Sequence, residues 1–262
     1  SPIDQLLPAR SEAPSARAGD GLGPIEIRLQ DIEVHFLQPG DERPKIFQIP
    51  ELVVSRDEVR MAIDADIELP EILGDSLRVL ATQVLSGPVE ERSWDVSVDL
   101  DGVRLAGVSA MQPYEPAQFQ SGRGDIELSI QIANQRVQSA SADLDVRNVS
   151  IATLSGLALT GRFEFLGDED GWLLAANEFQ ATTPAGEWPE SSLRFETGTN
   201  DAGKIIMVDV QASHLNFADA AVAIPWLNEQ HRGMLREFDP SGVVHDLKVK
   251  LSGLDTEEPQ FN

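Results

Sequence analysis

Residues Trp94 to Leu105, WDVSVDLDGVRL, alternate apolar and polar and then lose step. Apolar side chains fall at Trp94, Val96, Val98 and Leu100, and resume at Val103 and Leu105. The beat passes from even to odd numbers across Asp101-Gly102. Successive side chains of a strand point to opposite faces, so a slip of one residue throws the apolar set onto the wrong face. One face is kept only where the strand carries an extra residue, as a β-bulge or a sharp corner. The same break recurs across Gln30-Asp31 (Ile25, Ile27, Leu29, then Ile32, Val34, Phe36), across Arg147-Asn148 (Ala142, Leu144, Val146, then Val149, Ile151) and across Ser213-His214 (Val208, Val210, Ala212, then Leu215, Phe217). Gly and Asn suit such positions because they tolerate left-handed backbone angles. Four corners at matching places fold a sheet over on itself. The expected product is a bent antiparallel sheet, an elongated trough with an apolar inside.

The rest of the chain agrees with a mostly β fold. GDIELSIQIANQ puts Ile126, Leu128, Ile130 and Ile132 on one face and Asp125, Glu127, Ser129 and Gln131 on the other. GDEDG, between Phe165 and Trp172, has the chemistry of a hairpin turn. Two segments read as helical: a short one around Ala106 to Phe119, broken by Pro113 and Pro116, and one from Ala218 to Phe238, with Asp219 available as a cap and Pro225 splitting it. Residues 1–23, rich in Pro, Ala, Ser and Gly, read as a linker. A bent strand, a helical excursion, a Gly and a new strand occur twice, which divides the chain into units 24–121 and 122–253, the second holding the helical segment 218–238, and a tail 254–262.

Charge and composition remove whole classes of function. The 262 residues carry a formal net charge of −24, from 44 acidic and 20 basic side chains, which argues against nucleic acid as a partner. There is no Cys, so disulfides, thiolate metal sites and a Cys nucleophile are out. No stretch approaches the roughly 18 apolar residues of a membrane span, and the start shows no basic-then-apolar signal pattern. The chain therefore reads as cytosolic or as a piece of a longer protein targeted elsewhere.

Catalytic and metal sites find little support. His35, His214, His231 and His245 lack zinc-ligand spacing. The pairs Asp64/Asp66, Asp99/Asp101 and Asp143/Asp145 share the solvent face of a strand, and Asp168-Glu169-Asp170 does not complete a calcium loop. No nucleophile elbow, phosphate loop or dinucleotide fingerprint is present. No catalytic residue, metal or cofactor is expected, and the chain is not expected to be an enzyme. Trp94, Trp172, Trp188 and Trp226 stand in different contexts and read as core or rim anchors. His231-Arg232 is one of the few local basic spots.

Four pieces carry a family resemblance: IELPEILGDSLRVL; GRGDIELSIQIANQRVQSASADLDVRNVS; GRFEFLGDEDGWLLAANEF with EWPESSLRFE; and MLREFDPSGVVHDLKVKLSG, a helix end running into Asp-Pro-x-Gly and a strand. Together they span about Pro24 to Gly253, and the chain resembles the YhdP group of AsmA-like proteins, long bacterial envelope proteins of the repeating β-groove type. The resemblance implies a periplasmic protein held in the inner membrane by an N-terminal helix outside this sequence. It implies a groove that carries phospholipid acyl chains between the membranes, a role similar to that of TamB and its relatives, with further groove repeats in the full-length chain.

The expected lining of that groove is Val96, Val98, Leu100, Ile126, Leu128, Ile130, Ile132, Leu144 and Val146. A lipid tail needs a continuous aliphatic surface with few polar groups, because an unpaired polar group costs free energy once buried. The same face is also what the closed core of a structural or adhesive β-sandwich or solenoid would present, and the two readings stay open on the sequence. A hydrolase built on acidic pairs is a distant third.

Overall fold

A computed structural model describes residues 23–37, 44–88, 92–111, 119–151, 154–168, 170–200, 202, 204–217, 219, 241–253 and 260–261. Fourteen strands among them form one antiparallel sheet: β1 (Ile25–Phe36), β2 (Lys45–Arg56), β3 (Arg60–Glu68), β4 (Ser76–Val84), β5 (Ser93–Arg104), β6 (Phe119–Ala133), β7 (Arg136–Ile151), β8 (Leu154–Gly167), β9 (Gly171–Thr183), β10 (Gly186–Glu187), β11 (Ser191–Thr199), β12 (Ile205–Asn216), β13 (Val243–Ser252) and β14 (Gln260–Phe261). Neighbours in sequence are neighbours in space, except that β10 pairs only with β9 and β11 takes the next place. Short polar turns make this meander. At the turn between β2 and β3 Asp57 Oδ1 accepts the N–H groups of Val59 and Arg60 at 2.8 and 2.7 Å. At the GDEDG turn Asp168 N–H donates to the Gly171 carbonyl, as its chemistry predicts.

The sheet is open: β1 and β14 end the strand order and, among the described residues, do not pair with each other. The helix expected around Ala106 to Phe119 is a single piece, α1 (Leu105–Ala110), and no other α-helix is found among the described residues. The helical reading of 218–238, the linker up to Leu22 and most of the tail fall outside the described residues. The 121/122 boundary lies inside β6, which bonds to β5 on one side and β7 on the other, so the two units share one sheet. In both, the strands flanking the excursion, β5 with β6 and β12 with β13, pair with each other.

The most buried apolar cluster is Val146, Val149, Ile151 and Leu157, packed by Leu105, Phe119 and Leu159. It lies at one end of β6 to β8, where α1 rests. Elsewhere the apolar face is only partly covered, and no large side chain is fully buried among the described residues.

Candidate functional site, an apolar groove

Strand register turns the alternation of single strands into continuous rows. One row runs Leu29, Leu52, Ala65, Val79, Val98 and Leu128 across β1 to β6, and continues Ala142, Phe163, Ala176, Leu193, Ala212 and Leu247 to β13. The row beside it runs Ile27, Val54, Ile63, Ala81, Val96 and Ile130, then Ala140, Phe165, Leu174, Phe195, Val210 and Val249. Every position in both rows is apolar. At about 4.8 Å per strand the rows are roughly 50 Å long. All nine residues expected to line the face lie on it: Val96 opposite Ile130, Val98 opposite Leu128, Leu100 opposite Ile126, Ile126 opposite Leu144, with Ile132 and Val146 in step on β6 and β7.

A sandwich core would cover this face. Of the nine, only Val146, at 8 % exposure, is buried. Leu128 and Ile130 are half-buried, and on β1 every apolar position but Ile32 is open, Ile27 at 50 %. One part of the face is a cavity of about 390 Å³ that Ile126, Leu144 and Val146 line together with Leu105, Phe119 and Leu157. The last three were not expected: Leu105 comes from α1, and Phe119 and Leu157 lie beyond the corner.

The opposite face is polar. Asp66, Arg78, Asp99, Glu127, Asp143 and Arg162 follow one another across β3 to β8. Arg162 donates to Asp143 at 2.7 Å, Arg78 to Asp64 at 3.3 Å, and Arg147 holds Asp145 with two hydrogen bonds at 2.7 and 2.9 Å. These bonds raise the pKa of each guanidinium above its ordinary value. Such exposed pairs contribute little to stability. Their effect is to keep that face wet.

Left-handed residues sit close to one line across the sheet. Gly102 has φ 58° and Asn148 φ 55°. In each case the strand carries one residue more than its neighbour: Leu100 and Val103 face Ile126 and Gly124, and Val146 and Val149 face Leu159 and Leu157. These two corners are as the sequence predicts. The Gly102 N–H, left out of the ladder, donates to Asp125 Oδ1 at 2.8 Å, and the Asn148 carbonyl accepts from Ser121 Oγ at 2.8 Å. Opposite them Gly124 admits the close approach: a Cβ there would lie 2.1 Å from the Asp145 carbonyl oxygen.

Two corners differ from expectation. Asp31 is left-handed, yet β1 and β2 keep register across it, Gln30 with Glu51 and Ile32 with Ile49. Both strands flip together, and the extra residue is on β2 against β3, at Ile49-Pro50, where a proline is tolerated. Ser213-His214 is not left-handed. Asp246 on β13 is, and β12 and β13 stay in register, Ala212 with Leu247 and His214 with His245. Ser213 instead accepts the Ser192 N–H through its hydroxyl at 2.8 Å. A fifth corner lies on β9. Glu178 has φ 55°, and β9 carries an extra residue against both β8 and β11. Its signal is the same: Trp172, Leu174 and Ala176, then Phe179 and Ala181.

Aromatic rings gather on one part of the face. Trp172 stacks on Phe195 with centroids 5.1 Å apart and on Phe165 at 6.4 Å. Trp188 meets Phe179 at 6.1 Å and His214 at 5.1 Å, and its indole N–H donates to Asp219 at 2.6 Å. Among the described residues no three His, Asp or Glu side chains are placed to hold a metal. Trp226 and His231-Arg232 lie outside the described residues.

The family model described as YhdP protein matches residues 5–260. The chain belongs to the YhdP family. No curated protein and no solved structure matches it. Membership carries an AsmA-like lipid-transport role at the level of the family, and with it a place in the cell envelope rather than among known enzymes. For this YhdP-family chain, no helix among the described residues is long and apolar enough to cross a membrane.

Proposed function

We propose that this chain is a section of a periplasmic bridge-like lipid carrier, tethered to the inner membrane through another segment, whose groove conducts phospholipids between the inner and outer membranes. The observation that carries the reading is the pair of unbroken apolar rows on a face that the described residues leave only partly covered. An acyl chain laid along them gains roughly 0.8 kcal/mol per methylene removed from water. From β1 to β7 neighbouring strands offer nearly the same aliphatic surface, so a tail moves from one to the next without a deep well. The phosphate headgroup needs no partner on this face if it rides at the open mouth of the trough.

A charge placed in the rows tests this. Leu128→Asp puts a carboxylate at a half-open position. The variant is expected to accumulate as a folded protein and to fail in lipid transport, measured as phospholipid exchange between the two membranes in cells. Full transport with Asp at 128 would sink the reading.

A further inference from the structure

We propose that β8 to β11 form a holding segment, in which Phe165, Trp172 and Phe195 grip an acyl chain more tightly than the aliphatic strands beside them. The inference rests on the lipid-carrying reading above and adds where along the face a tail pauses. From β1 to β7 neither apolar row contains an aromatic residue, and on β8 and β11 Phe163, Phe165 and Phe195 enter them. The change of side chain is abrupt. Ala142 and Ala140 precede Phe163 and Phe165, and Ala176 follows Phe163, so the rings rise from a floor of alanines.

Trp172 joins the rings into a slab. It is stacked at 15° on Phe195 and at 29° on Phe165, and remains 36 % exposed. Rings that served only as core would be covered. A flat, rigid slab meets an alkyl chain over a large area and loses little side-chain freedom in doing so. Val, Ile and Ala offer a shallower surface. A tail sliding along otherwise uniform rows therefore rests at the slab.

The test is photocrosslinking of phospholipid in growing cells, in the whole protein, with a photoreactive residue at Leu174, between Phe165 and Phe195, or at Val96, in the same row on β5. Phe165→Leu combined with Phe195→Leu is expected to lower capture at 174 by roughly three- to tenfold and to leave capture at 96 unchanged or raised. The converse change, Ile130→Phe beside Val96, is expected to raise capture at 96, and it stands should the double variant fail to accumulate. Unchanged capture at 174 in an accumulating double variant, or no rise at 96 in Ile130→Phe, overturns the holding segment while leaving the conduit. Lipid at neither position in the parent protein overturns the conduit and the holding segment together.

Discussion

Gly102 sits where the chain bends, beside the exposed side-chain ends of Asp75 and Arg123. At φ 58° an alanine strains the backbone, and its Cβ would displace Asp75 Oδ2 and Arg123 Nη2, which lie 2.4 and 2.8 Å from that position. Gly102→Ala should therefore cost about 1–3 kcal/mol in urea unfolding. Asp57 gives a second prediction. The N–H groups of Val59 and Arg60 hold its carboxylate below the ordinary aspartate pKa. A depressed folded-state pKa means that its stabilisation is present above the unfolded value and lost as pH falls through the folded one. Asp57→Ala should lower Tm at neutral pH, and the gap to the parent protein should close in acid below the folded pKa. Corner residues were the most legible single positions, since Asp-Gly and Arg-Asn break an apolar beat that the strand must keep. Asp246 was not, because the apolar slip shows in both strands of the pair while only one of them adopts the left-handed angle.

Strands were readable because each keeps one apolar face, and β6 appears in the sequence almost as it folds. The β9 corner is written as clearly as the others, at Asn177-Glu178 between Ala176 and Phe179. α1 is shorter than expected and its value is positional: Leu105 closes the end of the face over Val146 and Val149. This separates two apolar positions of similar sequence pattern. Val149, at 5 % exposure, belongs to the packed cluster, while Leu128 is half-open. Val149→Asp buries an unpaired carboxylate and should destabilise by several kcal/mol. Leu128→Asp should cost about 1 kcal/mol or less. Equal losses for the two in urea unfolding would mean that the face is a closed core after all.

For the whole molecule, alternation and slips together predicted a bent antiparallel sheet, and an open one is found. What the sequence left undecided was whether anything covers its apolar side. That depends on strand order and register: only when neighbours pair in sequence, without closing on the other edge, do single-strand faces join into rows some twelve strands long. Among the described residues the acids of β3 to β8 stand with the arginines on the far face, and the groove rows hold none. The most direct measurement is photocrosslinking in cells with a photoreactive residue at Leu128 and, on the other face of β6, at Glu127. Phospholipid captured at Leu128 and not at Glu127 is the predicted result. Leu128 crosslinking only within the protein, with no lipid at either position, would contradict the account.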